Sequence, residues 1–170
     1  MSGEVTIPSM LIEELRRRGL DPEDVVLNAL INVIHLDPNI VIEARLELTV
    51  KYLNEGRVLI DKDPVQASEK LYKAAEEAVK ALAQYYGLRE ILNEVNEKGR
   101  WTVTELEKAM VEISKRLGDW FGEAWDRAWA LHVWGFHEAK FDAEDVRIRL
   151  PYIERIVEEA NKVVKGLGQN

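Results

Sequence analysis

The feature that most constrains the fold is a repeated helix-start signal, Asp-Pro at Asp21-Pro22, Asp37-Pro38 and Asp63-Pro64. An aspartate before a helix accepts hydrogen bonds from the unpaired N–H groups of the first turn. A proline just after it gives up an N–H that would have no partner there, and its fixed φ already suits the helix. A chain that repeats this signal, and in which strand-type alternation is nearly absent, predicts an all-α fold.

The rest of the punctuation agrees. "PSMLIEELRRRG" starts at Pro8, ends at Gly19 and carries Arg16, Arg17 and Arg18 in its last turn, where cations suit the helix dipole. Those arginines read as a solvated helix end in preference to a phosphate patch. "DPNIVIEARLELTVKYLNEGRVLID" has β-branched residues (Ile40, Val41, Ile42, Thr49, Val50) that locally resemble a strand, but its length and apolar spacing favour a helix. In "DPVQASEKLYKAAEEAVKALAQYYG", Asp63 caps and Gln66 completes a capping-box pattern. Leu71, Ala74, Ala75, Ala78, Leu82 and Tyr85 make an apolar stripe there. Small alanines let a neighbour approach closely, which places this helix in the middle of a bundle.

A short helix follows, with a turn at Lys98-Gly99, then a helix with Thr104 as N-cap, Glu107 as its box partner and Gly118 as its stop. The closing segment is capped by Asp142, with a kink or break expected near Leu150 because Pro151 lies inside it. Gly166 to Asn170 should fray. The expectation is an all-α up-and-down helical bundle of about four long helices over residues 37–168, with two short N-terminal helices in 1–36 packed on it.

Several function classes are disfavoured by composition. There is no cysteine, so no disulfide, thiolate metal site or cysteine nucleophile. No run of 18 apolar residues is present, so no membrane span is expected, and the N-terminus lacks a secretory pattern. A cytoplasmic protein fits. The net charge of −8 disfavours broad binding to a polyanion, leaving room for RNA or a nucleotide only at a local site.

The richest stretch is "WDRAWALHVWGFHEAKFD", Trp125 to Asp142. At about 100° per residue, Phe121, Trp125, Ala128, Trp129, His132, Phe136 and Ala139 share one broad arc, read as the buried face. Glu123, Asp126, His137, Glu138 and Lys140 lie mainly on the other side with Arg127 and Trp134. On a regular helix Arg127 and His132 diverge by roughly 140°. His132 therefore reads first as a core histidine with satisfied ring nitrogens. His137 reads as a surface residue paired with a carboxylate. Metal binding by these two is disfavoured, since ligands sharing a helix face usually stand three or four apart, not five. The tryptophans read as packing. Trp134, on the polar arc, calls for a partner surface or a dimer seam.

Three segments, "DPVQASEKLYKAAEEAVKALA", "AWALHVWGFHEAKFDAEDV" and "RLPYIERIVEEA", together resemble the archaeal PaREP-type proteins of the HEPN superfamily. The resemblance implies a short helical bundle that dimerises. Many HEPN proteins are metal-independent endoribonucleases using an Arg followed four to six residues later by His, a motif that falls here on Arg127 and His132. The guanidinium would hold the phosphate and the imidazole would move the proton. Where the active motif has a polar residue after the arginine this chain has Ala128, which implies a site that binds without cutting.

Two readings result. One is a noncatalytic or poorly active homodimeric module binding a partner protein or a nucleotide, with Trp134, His137, Glu138 and Asp126 at the binding face. The other is a toxin- or defence-type ribonuclease with Arg127 and His132 as its catalytic pair. Neither calls for a metal or another cofactor.

Overall fold

The computed structural model describes residues 3–166. The chain divides into two compact units between Asp37 and Pro38. The tail beyond Gly166, where fraying is expected, lies outside the described residues.

The first unit is a pair of helices, α1 (Ser9–Arg17) and α2 (Pro22–Ile34). Asp21 caps α2 as its sequence predicts, its carboxylate accepting from the N–H of Glu23 at 2.9 Å. His35 ends α2 in the left-handed region, at φ 47°. Arg17 and Arg18 both close on Glu14 at 2.7 Å. Their guanidiniums hold its carboxyl below the usual carboxylate range. These two arginines thus already share a carboxylate, as a solvated helix end would. Neither helix contains a buried residue.

The second unit comprises α3 (Pro38–Leu59), α4 (Pro64–Tyr85), α5 (Arg89–Lys98), α6 (Val103–Leu117), α7 (Trp120–Ala130), α8 (Ala143–Arg147) and α9 (Leu150–Lys165). Between α7 and α8 the helix continues as a π-helical turn over Leu131–His137. No strand occurs among the described residues. Helix α4 packs against α3, α5, α6, α7, α8, α9 and the π turn, and so is the centre of the bundle. Its stripe is sealed, with Leu71, Ala74, Ala75, Ala78 and Leu82 at 0 % exposure, and it reaches the surface at Tyr85. Small residues set the spacing. A Cβ on Gly56 of α3 would stand 2.6 Å from the Leu71 side chain, so the two long helices meet where only glycine fits.

Charge also enters this interior. Arg45 of α3 pairs with Glu77 of α4 at 2.8 Å, both nearly buried. Lys80, 1 % exposed, bridges Glu76 at 3.2 Å and Glu77 at 3.4 Å. Desolvating such ions is offset only when each keeps its partners.

Two capping expectations are corrected. The N-terminus of α6 is capped by Thr102, not Thr104, and its box partner is Glu105. The Glu105 carboxylate accepts from the Thr102 N–H at 3.0 Å and from its hydroxyl. Glu107, expected in that role, instead accepts from the Trp125 indole at 2.7 Å, because its position on α6 faces α7. At α4, Asp63 accepts from the Gln66 N–H at 3.1 Å, but only that half of a capping box is seen, since the Asp63 N–H is committed to the Leu59 carbonyl. The break near Leu150 is real: α8 ends at Arg147 and α9 begins at Leu150, with Pro151 in its first turn.

Candidate functional site

The site is built where the π turn lies on α4. A π turn carries i→i+5 hydrogen bonds, so residues five apart come onto one face. The Glu138 N–H donates to the Val133 carbonyl at 2.9 Å in this register. Its backbone lies hard against α4 at Gly135, where a Cβ would stand 2.3 Å from Ser68 Oγ and 2.6 Å from Ser68 Cβ. Ser68 is itself buried and donates to the Pro64 carbonyl at 2.7 Å.

This geometry brings His132 and His137 together. Their Nε2 atoms are 3.1 Å apart and the rings meet edge to face, centroids 4.4 Å apart. His132 Nδ1 faces Glu69 of α4 at 2.9 Å, with the two side chains 20 % and 16 % exposed. The His132 ring stacks on Tyr72 of α4 at 4.1 Å and 26°. Trp129 and Phe136 flank it at 5.3 and 6.4 Å. The Tyr72 hydroxyl donates to Glu76 at 3.0 Å. Burial pushes that phenol far above its usual range, and the negative charges of Glu76, Glu69 and Glu107 push the same way. The setting of the His132 ring is thus acidic as well as aromatic.

His132 is neither sealed in the core nor free. It is half-buried, and both ring nitrogens have partners. His137 is exposed, and its recorded partner is an imidazole where a carboxylate was expected. The π turn supplies the reason: its wider winding narrows the angular divergence that a regular helix imposes on residues five apart. Of the remaining candidates, Asp126 and Glu138 are exposed, and Trp134 is 53 % exposed on the polar side, as its position on the wheel predicts.

Arg127 takes another direction. Its guanidinium sits 5.2 Å over the ring of Tyr152 on α9. Burial lowers the Arg149 pKa, and the Arg127 charge adds to that, while Asp145 opposes it. Arg127 therefore engages α9, whereas His132 engages α4. The apolar arc also thins along the run: Phe121, Trp125 and Ala128 are buried, Trp129, His132 and Phe136 half-buried, and Ala139 exposed.

Glu69 and Tyr72 are the participants that the sequence reading missed. They stand three apart on α4, one face of a helix otherwise read for its alanine stripe. A glycine inside an aromatic helical run, two residues before a second histidine, was the available hint of the π turn. Chemically, a carboxylate on Nδ1 selects the tautomer protonated there and turns the Nε2 lone pair outward. Among the described residues no group of three or more histidine, aspartate or glutamate side chains is arranged to hold a metal. A cavity of about 550 Å³ between α5 and α6, lined by Leu88, Ile91, Glu107, Lys108 and Val111 among others, includes neither histidine of the π turn, nor Glu69, nor Tyr72.

The family model of the archaeal PaREP1/PaREP8 family matches residues 44–157. The chain is similar to a Sulfolobus solfataricus protein known from a crystal structure, at 36% identity and a TM-score of 0.63, over 69% of this chain and 96% of that one. The solution structure of that same target, the Orf c02003 protein, matches at 36% identity and a TM-score of 0.61, over 69% of this chain and 92% of that one. No curated protein matches.

Proposed function

The chain belongs to the archaeal PaREP1/PaREP8 family, and we propose that it is a noncatalytic, HEPN-like module that works as a homodimer, with the π turn and Trp134 at its seam. The observation that carries this reading is the parting of Arg127 and His132. One lies over Tyr152 of α9 and the other bonds Glu69 of α4. Within one chain, the guanidinium and the imidazole are engaged by different helices, which supports a site without a clamp beside the proton-transfer group. Carboxylates surround the aromatic shelf and oppose a phosphate ligand. Trp134 favours protein contact, since a large aromatic more than half exposed is the type of residue that anchors interfaces. A second copy presents the same turn, so an isologous contact satisfies both.

The test is mass by light scattering across a concentration series, for the wild type and Trp134→Glu. The expected result is a dimer that the charged variant converts to a monomer. A wild type that stays monomeric at high concentration overturns the dimer.

One observation favours the second reading, a metal-independent ribonuclease. A carboxylate-held histidine with a second histidine at its Nε2 resembles an acid–base pair, and a second copy is a source of Arg127. On that reading the protein cuts single-stranded RNA in EDTA, and the Arg127→Ala, His132→Ala double variant does not. Undiminished cutting by the double variant eliminates it.

A further inference from the structure

We propose that His132 and His137 form a binding site for a zinc-class divalent transition metal, held by the two Nε2 atoms, with water in its remaining positions. Both ligands belong to one chain, on the π turn that the dimer reading sets at its seam, so the site does not require a second copy.

The geometry comes first. A tetrahedral ion with metal–nitrogen bonds of 2.0–2.1 Å holds two adjacent nitrogens about 3.3 Å apart. The two Nε2 atoms stand 3.1 Å apart. Imidazole is a ligand that zinc, nickel and copper all accept.

The surrounding shell is the second argument. A histidine that binds a metal through one ring nitrogen almost always gives the other to a carboxylate or carbonyl, which sets the tautomer and aims the ring. Glu69 does this for His132, at 2.9 Å from Nδ1. The ring is further held by its stack on Tyr72 at 4.1 Å and by Trp129 at 5.3 Å. One ligand is therefore already oriented, which lowers the entropy lost on binding.

Charge is the third. Glu69, Glu76 and Glu107 all act on Tyr72, directly beneath the His132 ring. Of these, Glu69 lies against His132 itself, whereas Glu76 is paired with Lys80, so Glu69 supplies the negative charge nearest the site. The π turn itself is the fourth. Such turns are rare and concentrate at functional sites, and this one is what makes two histidines five apart converge.

The experiment is calorimetric titration of the full-length, chelator-stripped chain with zinc chloride, with circular dichroism to establish that each variant is folded. One ion per chain is expected. His137→Ala, on an exposed side chain, should weaken binding at least 100-fold, and His132→Ala should do the same. Glu69→Gln keeps both ligands and should weaken it by about 10–100-fold. His35→Ala, in the other unit, should change nothing. Cobalt in place of zinc should give a visible ligand-field spectrum that His137→Ala removes. A folded wild type that takes up no zinc overturns the proposal, as does a His137→Ala variant that binds as tightly as the wild type.

Discussion

At the scale of residues, single atoms decide whether the π turn can lie on α4. Gly135 has no room for a methyl group, because Ser68 stands 2.3 Å from where it would be. Gly135→Ala should therefore destabilise the protein by about 1–3 kcal/mol through overpacking, read as a lower midpoint in urea with little change in slope. Ser68→Gly in the same chain should recover part of the loss. Glu105 makes a second residue-level case. Burial alone would raise its pKa, but its bonds to Lys98 and Thr102 outweigh that and hold it down to about 2. A carboxyl depressed in the folded state contributes stability above its unfolded pKa and loses it as the pH falls through the folded value. The contribution of Glu105 is thus complete above about pH 4.5 and disappears near pH 2. Glu105→Gln should lower stability at pH 7 and flatten the acid limb of a stability-against-pH curve. An unchanged acid limb contradicts the assignment.

At the scale of elements, α4 carries the burden of the bundle. Alanine and leucine make up eight of its thirteen buried residues, yet it also buries Glu77, paired with Arg45 of α3, and Lys80, which bridges Glu77. Removing one member of a buried ionic group leaves the others desolvated, which costs about 3–5 kcal/mol. Lys80→Ala should therefore cost far more than removing an exposed pair, such as Lys115 with Glu112, where the loss is about 0–1 kcal/mol. Denaturant midpoints of the two variants check the contrast. Most of the helices were legible because caps and apolar periods are local properties. Asp21, Asp63 and Asp142 bond the N–H groups expected of them. The start of α6 was misplaced by two residues because two threonine–glutamate pairs overlap there. Which of them closes depends on Glu107 being drawn to Trp125, a contact between helices. The π turn was illegible for a similar reason: its register answers to the close approach of Gly135 and Ser68.

At the scale of the whole molecule, the family match covers 44–157 and so lies within the second unit. A chain of residues 38–170 should give a cooperative thermal transition followed by circular dichroism, because its core belongs to that unit. Residues 1–37 alone, whose helices bury no residue, should show no such transition, as so short a segment lacks the apolar burial to fold unaided. No described helix is long and apolar enough to cross a membrane. The amino-acid sequence by itself determined the helical class, most of the helix boundaries, the central place of α4 and the exposure of Trp134, because each follows from residues a turn or less apart. Only the tertiary structure decided which way Arg127, His132 and His137 point, and that Glu69 and Tyr72 join the two histidines. Those outcomes depend on how closely one helix can lie on another, and that distance is set by a glycine and a serine 67 residues apart in the chain.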